Sequence, residues 1–131
     1  MTKPFLTYTA IIEGLTGLAL IAIPAKTGLL LLETELSSPL DILLAMVGGA
    51  AIFSLALGTW FARSDATSKA ALNMLLFYNG AVACILLYGA LGLGFKGILL
   101  WAVIIFHFCQ TGICIGIIRK TFLNKVAITK N

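Results

Sequence analysis

Long runs of apolar residues, separated by short polar segments, dominate the chain. Four runs of about 20 residues, the length that a helix needs to cross the hydrocarbon core of a bilayer, lie at 5–23, 42–62, 70–91 and 98–118. Of the nine Lys and Arg and the five Asp and Glu residues, only Glu13 lies within these runs. The pattern predicts an all-α membrane protein, with a single domain (1–131) in which four transmembrane helices form a bundle.

The composition excludes several other classes of protein. Hydrophobic residues make up 60% of the chain, charged residues 11%, and the mean hydropathy is +1.07. A soluble domain carries about 25% charged residues, so we exclude soluble, disordered and nucleic-acid-binding proteins. The first run exceeds the 7–15 apolar residues typical of a signal peptide. It also contains a carboxylate and lacks a good cleavage site, so we expect a retained helix.

The loops differ strongly in charge, which predicts the orientation in the membrane. If the N-terminus is inside, the outer loops contain only the two cations Lys26 and Lys96. Cytoplasmic loops normally hold the excess of Lys and Arg, so we predict that both termini are cytoplasmic. The basic tail at 119–130 could also contact anionic headgroups. The cytoplasmic segments would then contain seven cations: Lys3, Arg63, Lys69, Arg119, Lys120, Lys125 and Lys130.

The outer segment 24–41 contains two local signals. Ser38, Pro39 and Asp41 are typical of a helix start, with a capping side chain, a proline and an acid in the first turn. The apolar residues 29–32, followed by two glutamates, fit a short helix lying in the outer interface. Continuation of the first helix past a kink at Pro24 explains the pattern equally well.

Three polar residues are predicted at the same depth near the middle of the membrane. Glu13 lies eight residues into the first run, about 12 Å from its boundary at 1.5 Å per residue. His107 and Asn79 each lie nine residues into their runs. A charged group at this depth costs at least about 2.5–3.5 kcal/mol, so Glu13 must be neutral, or paired, and face the interior. We predict that Glu13 and His107 are hydrogen-bonded, directly or through one water, and titrate as a pair.

Helical phase extends this polar core to neighbouring turns. Gln110 and Thr111 share the stripe of His107, and Thr9 and Thr16 share the face of Glu13. Ser54, with Ala50 and Gly58, forms a face of small residues that predicts a close helix contact. Intramembrane polar residues also act as structural links between helices, so a structural and a functional core both remain open. The predicted ligand- or proton-binding residues are Glu13, Asn79, His107, Gln110, Thr111, Thr9, Thr16 and Ser54.

Other residues are predicted at interfaces. Gly112 and Gly116 form a GxxxG pair on the side of the fourth helix away from His107, which favours a homodimer. Tyr8, Trp60, Tyr88 and Trp101 fall near the ends of the runs, where aromatic side chains anchor helices. The odd number of cysteines and the lack of CxxC spacing indicate packing rather than disulfides: they are Cys84, Cys109 and Cys114.

The sequence offers no complete catalytic or metal-binding set. One histidine supplies one imidazole, so a bis-His haem would need two chains, and a facial-triad metal site needs two histidines. A nucleophile with a supporting base is also lacking. We therefore expect no metal, haem or other cofactor, and we do not expect an enzyme.

Several segments resemble a group of small bacterial four-helix membrane proteins that are loosely DoxX-like. The resemblance rests on IIEGLTGLAL at 11–20, LGTWFAR at 57–63, LFYN at 76–79, and Leu100-Trp101 followed by His107. It implies a multi-pass protein of a bacterial inner membrane, but no activity. Met46 stands where an arginine is frequent in the group. The family-type positions it implies are Glu13, Trp60, Arg63, Tyr78, Asn79, Trp101 and His107, of which we group Trp60, Arg63, Tyr78 and Trp101 with the interface residues.

Two functions follow as hypotheses. Small multidrug resistance transporters also have four helices and one midplane glutamate in the first, and there the glutamate exchanges protons for cationic drugs; this is an analogy of function only. The first hypothesis is proton-coupled transport or binding of a small ligand at Glu13, Asn79 and His107. The alternative is a non-catalytic accessory subunit of a larger membrane complex, possibly a redox complex, whose polar core is structural or binds a quinone or lipid.

Overall fold

The structure, a computed structural model, describes residues 2–64 and 68–128, with side chains as far as residue 123. All regular structure in these ranges is helical, which confirms the predicted all-α class. Four helices are long and apolar enough to cross a membrane: α1, α3, α4 and the Leu100–Leu123 part of α5. Lys130 and the side chain of Lys125 lie outside the described residues. The helices are α1 (Thr2–Ala22), α2 (Pro24–Leu32), α3 (Pro39–Ala62), α4 (Ser68–Leu91) and α5 (Leu100–Ile128).

The last helix extends beyond the apolar run at 98–118 that predicted it. Helix α5 begins at Leu100 and continues to Ile128, ten residues beyond the apolar run. The prediction ended where the cations begin, because Arg119 and Lys120 are unfavourable in hydrocarbon. Charge limits the apolar segment and not the helical backbone, since Arg and Lys have good helix propensity.

The break after α1 separates α2 as a helix of its own. Ile23 has a φ of −138° and a ψ of 55°, far from helical values, and Pro24 lacks the N–H that would continue the ladder. The Thr27 hydroxyl lies 3.2 Å from the carbonyl oxygen of Ala19 and 3.0 Å from that of Ile23, so it links the two helices. The predicted short helix is therefore present, and α1 does not continue through Pro24.

The predicted start of α3 is confirmed in detail. The Ser38 side chain accepts a hydrogen bond from the Asp41 backbone N–H at 3.1 Å. The Asp41 carboxylate accepts one from the Ser38 N–H at 3.1 Å, which completes a capping box. Pro39 occupies the first turn, where a missing N–H has no cost.

Helices α1 and α3 meet through glycines. A Cβ atom built on Gly17 would lie 2.7 Å from the Gly49 carbonyl oxygen and 2.7 Å from the Phe53 nitrogen. A Cβ on Gly49 would lie 2.7 Å from the Gly17 oxygen. The sequence predicted this contact on the wrong face of α3. Ala50, Ser54 and Gly58 are exposed, and the contact lies one residue away, which is 100° around the helix.

The bundle consists of two helix pairs. The most extensive backbone contacts join α1 to α3 and α4 to α5. We call the end of the bundle that contains the start of α1, the start of α4 and residues 118–122 of α5 the terminal end, because Thr2, Ser68 and Thr121 line one cavity there. The opposite end, the loop end, contains α2, which is tied to the start of α5 by a hydrogen bond from the Leu99 N–H to the Leu30 carbonyl at 3.0 Å.

Candidate functional site

Polar side chains are buried where α1 faces α4 and α5. Five of them form hydrogen bonds or close contacts across this junction, and a sixth, Thr59, lies on α3. An apolar interior holds such groups only when they are paired or functional. The buried polar residues of the described chain are Thr9, Glu13, Thr59, Asn79, His107 and Gln110.

Glu13 is the only Asp, Glu, Lys or Arg among these buried residues of the described chain. It lies near the middle of α1 and is 2% exposed. The Tyr78 hydroxyl, from α4, donates a hydrogen bond to its Oε2 at 3.2 Å. Its Oε1 has no hydrogen-bond partner among the residues that the structure describes. A buried carboxylate oxygen without a partner is costly, so the fold does not account for this group by itself.

His107 is held by Asn79. The Nδ1 atom of His107 lies 2.6 Å from Oδ1 of Asn79, whose Nδ2 donates to the Leu75 carbonyl at 2.8 Å. Since the amide oxygen only accepts, this arrangement assigns the proton of the imidazole to Nδ1. Tyr78 and Phe106 contact the ring edge-on, with centroids at 5.8 and 5.4 Å. The imidazole is therefore fixed in both position and tautomer.

Glu13, Asn79 and His107 converge as the depth count predicted, but Glu13 and His107 do not form the direct version of the predicted hydrogen bond; the bond through one water and the paired titration stay predictions. Glu13 Oε1 lies 4.0 Å from His107 Nδ1, which is longer than a hydrogen bond. The physical reason is competition, because the Nδ1 proton is directed to Asn79. The depth of each residue along its apolar run predicted that these residues converge, but it could not show which pairs form hydrogen bonds.

A second polar contact joins α5 to α1 one turn closer to the terminal end. Gln110 Nε2 donates to the Thr9 hydroxyl at 3.0 Å, and both residues are buried. Thr111, predicted in the same stripe, is half-buried and donates to the His107 carbonyl of its own helix at 2.8 Å. Gln110 and Thr9 therefore belong to the polar core, whereas Thr111 bonds within α5.

Thr16 and Ser54, predicted to line the interior, do not. Both are exposed, and each donates to a carbonyl of its own helix, that of Ile12 at 2.9 Å and that of Ala50 at 2.8 Å. The buried face of α1 is centred slightly to the Ala10 and Gly17 side of Glu13, which leaves Thr16, 60° to the other side, outside it. For Ser54 the error is the face of α3 described above.

The predicted interface residues lie mostly at the surface. Trp60 and Trp101 are exposed, and the Arg63 guanidinium stacks on the Trp60 ring at 3.6 Å from its centroid. Gly112 and Gly116 are exposed, and a Cβ on either would meet nothing within 4 Å in the described chain. Tyr78, grouped with the interface residues, instead contacts Glu13. Its position next to Asn79 at the same depth was the signal available for placing it in the core.

The described residues form neither a metal-binding cluster nor a disulfide. The described residues contain no group of three His, Cys, Asp or Glu side chains placed to hold a metal ion. Cys84 and Cys109 are exposed, Cys114 is buried, and all three are free.

Comparison of the chain with protein-family models, curated proteins and solved structures gives no match in any of the three. The functional proposal therefore rests on the chemistry of the site.

Proposed function

We propose that the chain is an integral membrane protein whose four long helices span the bilayer with the terminal end in the cytoplasm. Large apolar side chains on the outside of the bundle support this proposal, among them Phe77 and Ile98, each 81% exposed. Exposure of such a surface to water is unfavourable, whereas contact with lipid chains is not. The cations of the described terminal end, on the cytoplasmic side by the positive-inside rule, are Lys3, Arg63, Lys69, Arg119 and Lys120.

Reporter fusions test this orientation. We expect cytoplasmic signals from fusions at residue 67 and at the C-terminus, and external signals from fusions near residues 35 and 95. A cytoplasmic signal near residue 35 would contradict the four-span arrangement.

Within that bundle, Glu13 is the binding group for a proton or small cation, and the protein works as a small proton-coupled transporter or ligand-binding protein. The observation that carries this proposal is the buried Oε1 oxygen, unpaired within the described residues. A carboxylate at this depth needs its charge balanced. Three agents can do this: a proton on Glu13, a proton on His107 at 4.0 Å, or a bound cation. The site can therefore exist with Glu13 protonated, with His107 protonated or with a cation bound. Exchange among these three states would couple proton movement to cation binding.

The neighbouring residues suit such an exchange. The Tyr78 hydroxyl can donate to Glu13 in either protonation state, so this bond persists when the proton leaves. Asn79 holds His107 with Nδ1–H as donor, which leaves the Nε2 lone pair of a neutral imidazole to accept a proton. The site thus has fixed geometry and two groups that can exchange a proton.

Proton flux into vesicles tests the proposal. Purified protein is reconstituted with a pH-sensitive dye inside, and the internal pH is followed under an imposed membrane potential or a tetramethylammonium gradient. We expect a protein-dependent pH change in at least one of these conditions, abolished by Glu13→Gln. Glu35→Gln, the same substitution at an exposed loop residue, is the matched control and should retain the flux. Equal traces for wild type, Glu13→Gln and protein-free vesicles would contradict the proposal.

A second proposal concerns partners. The exposed face around Gly112 and Gly116 has room for a closely approaching helix, which favours a homodimer or docking on a larger membrane complex. Gly112→Leu should weaken self-association, measured by the concentration dependence of energy transfer between labelled chains in lipid. Unchanged self-association, or a monomeric wild type, would contradict the homodimer.

A further inference from the structure

On three helices, the side chains from the terminal end to the polar site follow the same order, from exposed or half-buried positions at the end to buried ones at the site. The spacing is three or four residues throughout, which is one helical turn of about 5.4 Å per step. Each series begins at a cavity, passes an apolar layer and ends in the polar core. The series are Thr2, Leu6, Thr9 and Glu13 on α1, Lys69, Leu72, Leu75 and Asn79 on α4, and Phe122, Ile118, Cys114, Gln110 and His107 on α5.

The cavity at the terminal end is small and amphipathic. Its volume is about 160 Å³, below the 300–1,000 Å³ of pockets that take drug-sized ligands. At about 30 Å³ per water, it has room for a few waters or a small hydrated cation. Three hydroxyls and one ammonium group lie among apolar side chains in its lining, which is formed by Thr2, Ser68, Lys69, Leu72, Ile118, Thr121 and Phe122.

An apolar cluster closes the cavity on the side of the polar core. We define this apolar cluster as Leu6, Leu72, Leu75 and Cys114, all buried. Leu72 belongs to both the cluster and the cavity wall, and Ile118 lines the cavity and packs on the cluster. The cavity therefore ends directly on the cluster, and the hydrogen-bonded Thr9 and Gln110 lie one turn beyond it.

Thr59 places an additional polar group at the depth of this cluster. Its Oγ1 is buried and without a hydrogen-bond partner in the described ranges. Leu55, one turn away on the same face of α3, packs against the apolar cluster. Counted from the Gly17–Gly49 contact between antiparallel helices, Thr59 lies about 9 Å nearer to the terminal end than Glu13. Thr59 thus adds a hydroxyl without a partner among the described residues at the depth of the apolar cluster.

The loop-end half of the interior differs. The buried residues there are apolar or glycine: Gly17, Gly28, Gly49, Ala83, Gly89, Gly97, Leu100 and Ile104. Within the described residues, no buried polar side chain lies between Glu13 and the loop end. The buried polar side chains of the described residues are thus confined to the middle and the terminal half of the bundle.

We infer that protons and small hydrated cations reach Glu13 from the terminal end, through the cavity and past the apolar cluster, which acts as a closed barrier. This inference rests on the proposed function and narrows its substrate to a proton or a cation of a few heavy atoms. Apolar constrictions gate permeation by excluding water. Rotation of a leucine side chain would let water pass, and the Thr59 hydroxyl would then be a hydrogen-bonding station on the route.

The order in which thiols react tests the route. Glu13→Cys places a thiol at the site, and the native Cys114 provides a second one within the barrier. The probe is 2-aminoethyl methanethiosulfonate, a small cation that reacts with thiolates in contact with water, and mass spectrometry measures the extent of modification at each position. The exposed Cys84 and Cys109 serve as internal references for the rates of modification. We expect the thiol at position 114 to react faster than the thiol at position 13.

Matched leucine substitutions locate the barrier. Leu72→Ala should raise the rates at both positions severalfold, whereas Leu100→Ala, which truncates an equally buried leucine at the loop end, should leave them unchanged. Leu6→Ala is the second variant if Leu72→Ala does not fold. Within the Leu72→Ala background, Thr59→Val should slow modification at position 13, and Thr59→Ser should not.

The contrary results are equally specific. Faster reaction at position 13 than at 114, or acceleration by Leu100→Ala but not by the barrier variants, would overturn the route. So would the absence of any acceleration in both Leu72→Ala and Leu6→Ala. Thiol modification does not require transport. A protein that shows the expected order but no Glu13-dependent proton flux would refute the proposed function while keeping the water route.

Discussion

Helix α1 is held on its two sides by contacts of opposite character. Toward α3, Gly17 and Gly49 let the backbones touch, and no polar side chain takes part in the contact that they form. Toward α4 and α5, polar contacts through Tyr78, His107 and Gln110 lie next to the apolar cluster. Close packing of small residues is sufficient to join helices in a membrane. The side of α1 that faces α4 and α5 therefore contains polar groups that helix association does not require.

The difference is clearest in what each contact leaves unsatisfied. The glycine contact leaves no side-chain polar group to satisfy. The polar contact includes Glu13 Oε1, which is buried and unpaired in the described part of the chain. A buried carboxylate oxygen without a partner is costly, and this cost is the basis of the functional proposal for Glu13. The following predictions separate the two contacts, from the largest expected effect to the smallest.

Gly17→Ala should have the largest effect on stability. The new Cβ would lie 2.7 Å from two backbone atoms and 3.0 Å from the Phe53 Cα, so α1 and α3 would have to separate. Overpacking of this kind costs about 1–3 kcal/mol, measured as the free energy of unfolding in detergent. Gly48→Ala, on α3 with nothing within 4 Å, is the control and should be neutral. Equal effects of the two substitutions would remove the glycine contact from this account.

The Asn79–His107 hydrogen bond should show the strongest coupling within the polar contact. A double-mutant cycle of Asn79→Leu and His107→Leu on the free energy of unfolding should give about 0.6–1.7 kcal/mol, between the average and the maximum for polar contacts between membrane helices. The cycle between Glu13→Gln and His107→Leu should give less, because the two groups are 4.0 Å apart. The reverse order of the two coupling energies would contradict the hydrogen-bond arrangement described above.

The Thr9–Gln110 bond should contribute least. It joins two neutral groups at 3.0 Å, so a cycle of Thr9→Val and Gln110→Leu should give about 0.6 kcal/mol, the average for such contacts. Strict additivity would show that this bond does not stabilise the junction. Coupling larger than that of Asn79 with His107 would show that the centre of the polar contact lies nearer to the terminal end.

Much of this arrangement could be predicted from the sequence. Run length predicted four long helices, the Ser38–Asp41 pattern predicted a capping box, and depth along each run predicted the convergence of Glu13, Asn79 and His107. These features depend on one segment at a time or on the common thickness of the bilayer. Each is therefore encoded locally.

Features that depend on which helix faces meet could not be predicted in this way. The small residues Ala50, Ser54 and Gly58 predict a contact face of α3 that lies one residue away from the observed face, which contains Gly49. Depth does not specify rotation about the helix axis, so it could not show that His107 bonds to Asn79 rather than to Glu13. Thr59 was not considered, since a lone hydroxyl in an apolar run usually bonds to its own helix.

The stability of Glu13→Gln tests most directly whether this carboxylate serves function rather than folding. Glutamine keeps an oxygen for the Tyr78 hydroxyl and removes a buried carboxylate whose Oε1 is unpaired among the described residues. We predict a free energy of unfolding within about 0.5 kcal/mol of wild type, as for a substitution outside structural contacts, or a gain. A loss of about 2 kcal/mol or more would show that Glu13 is a structural link and would contradict the account.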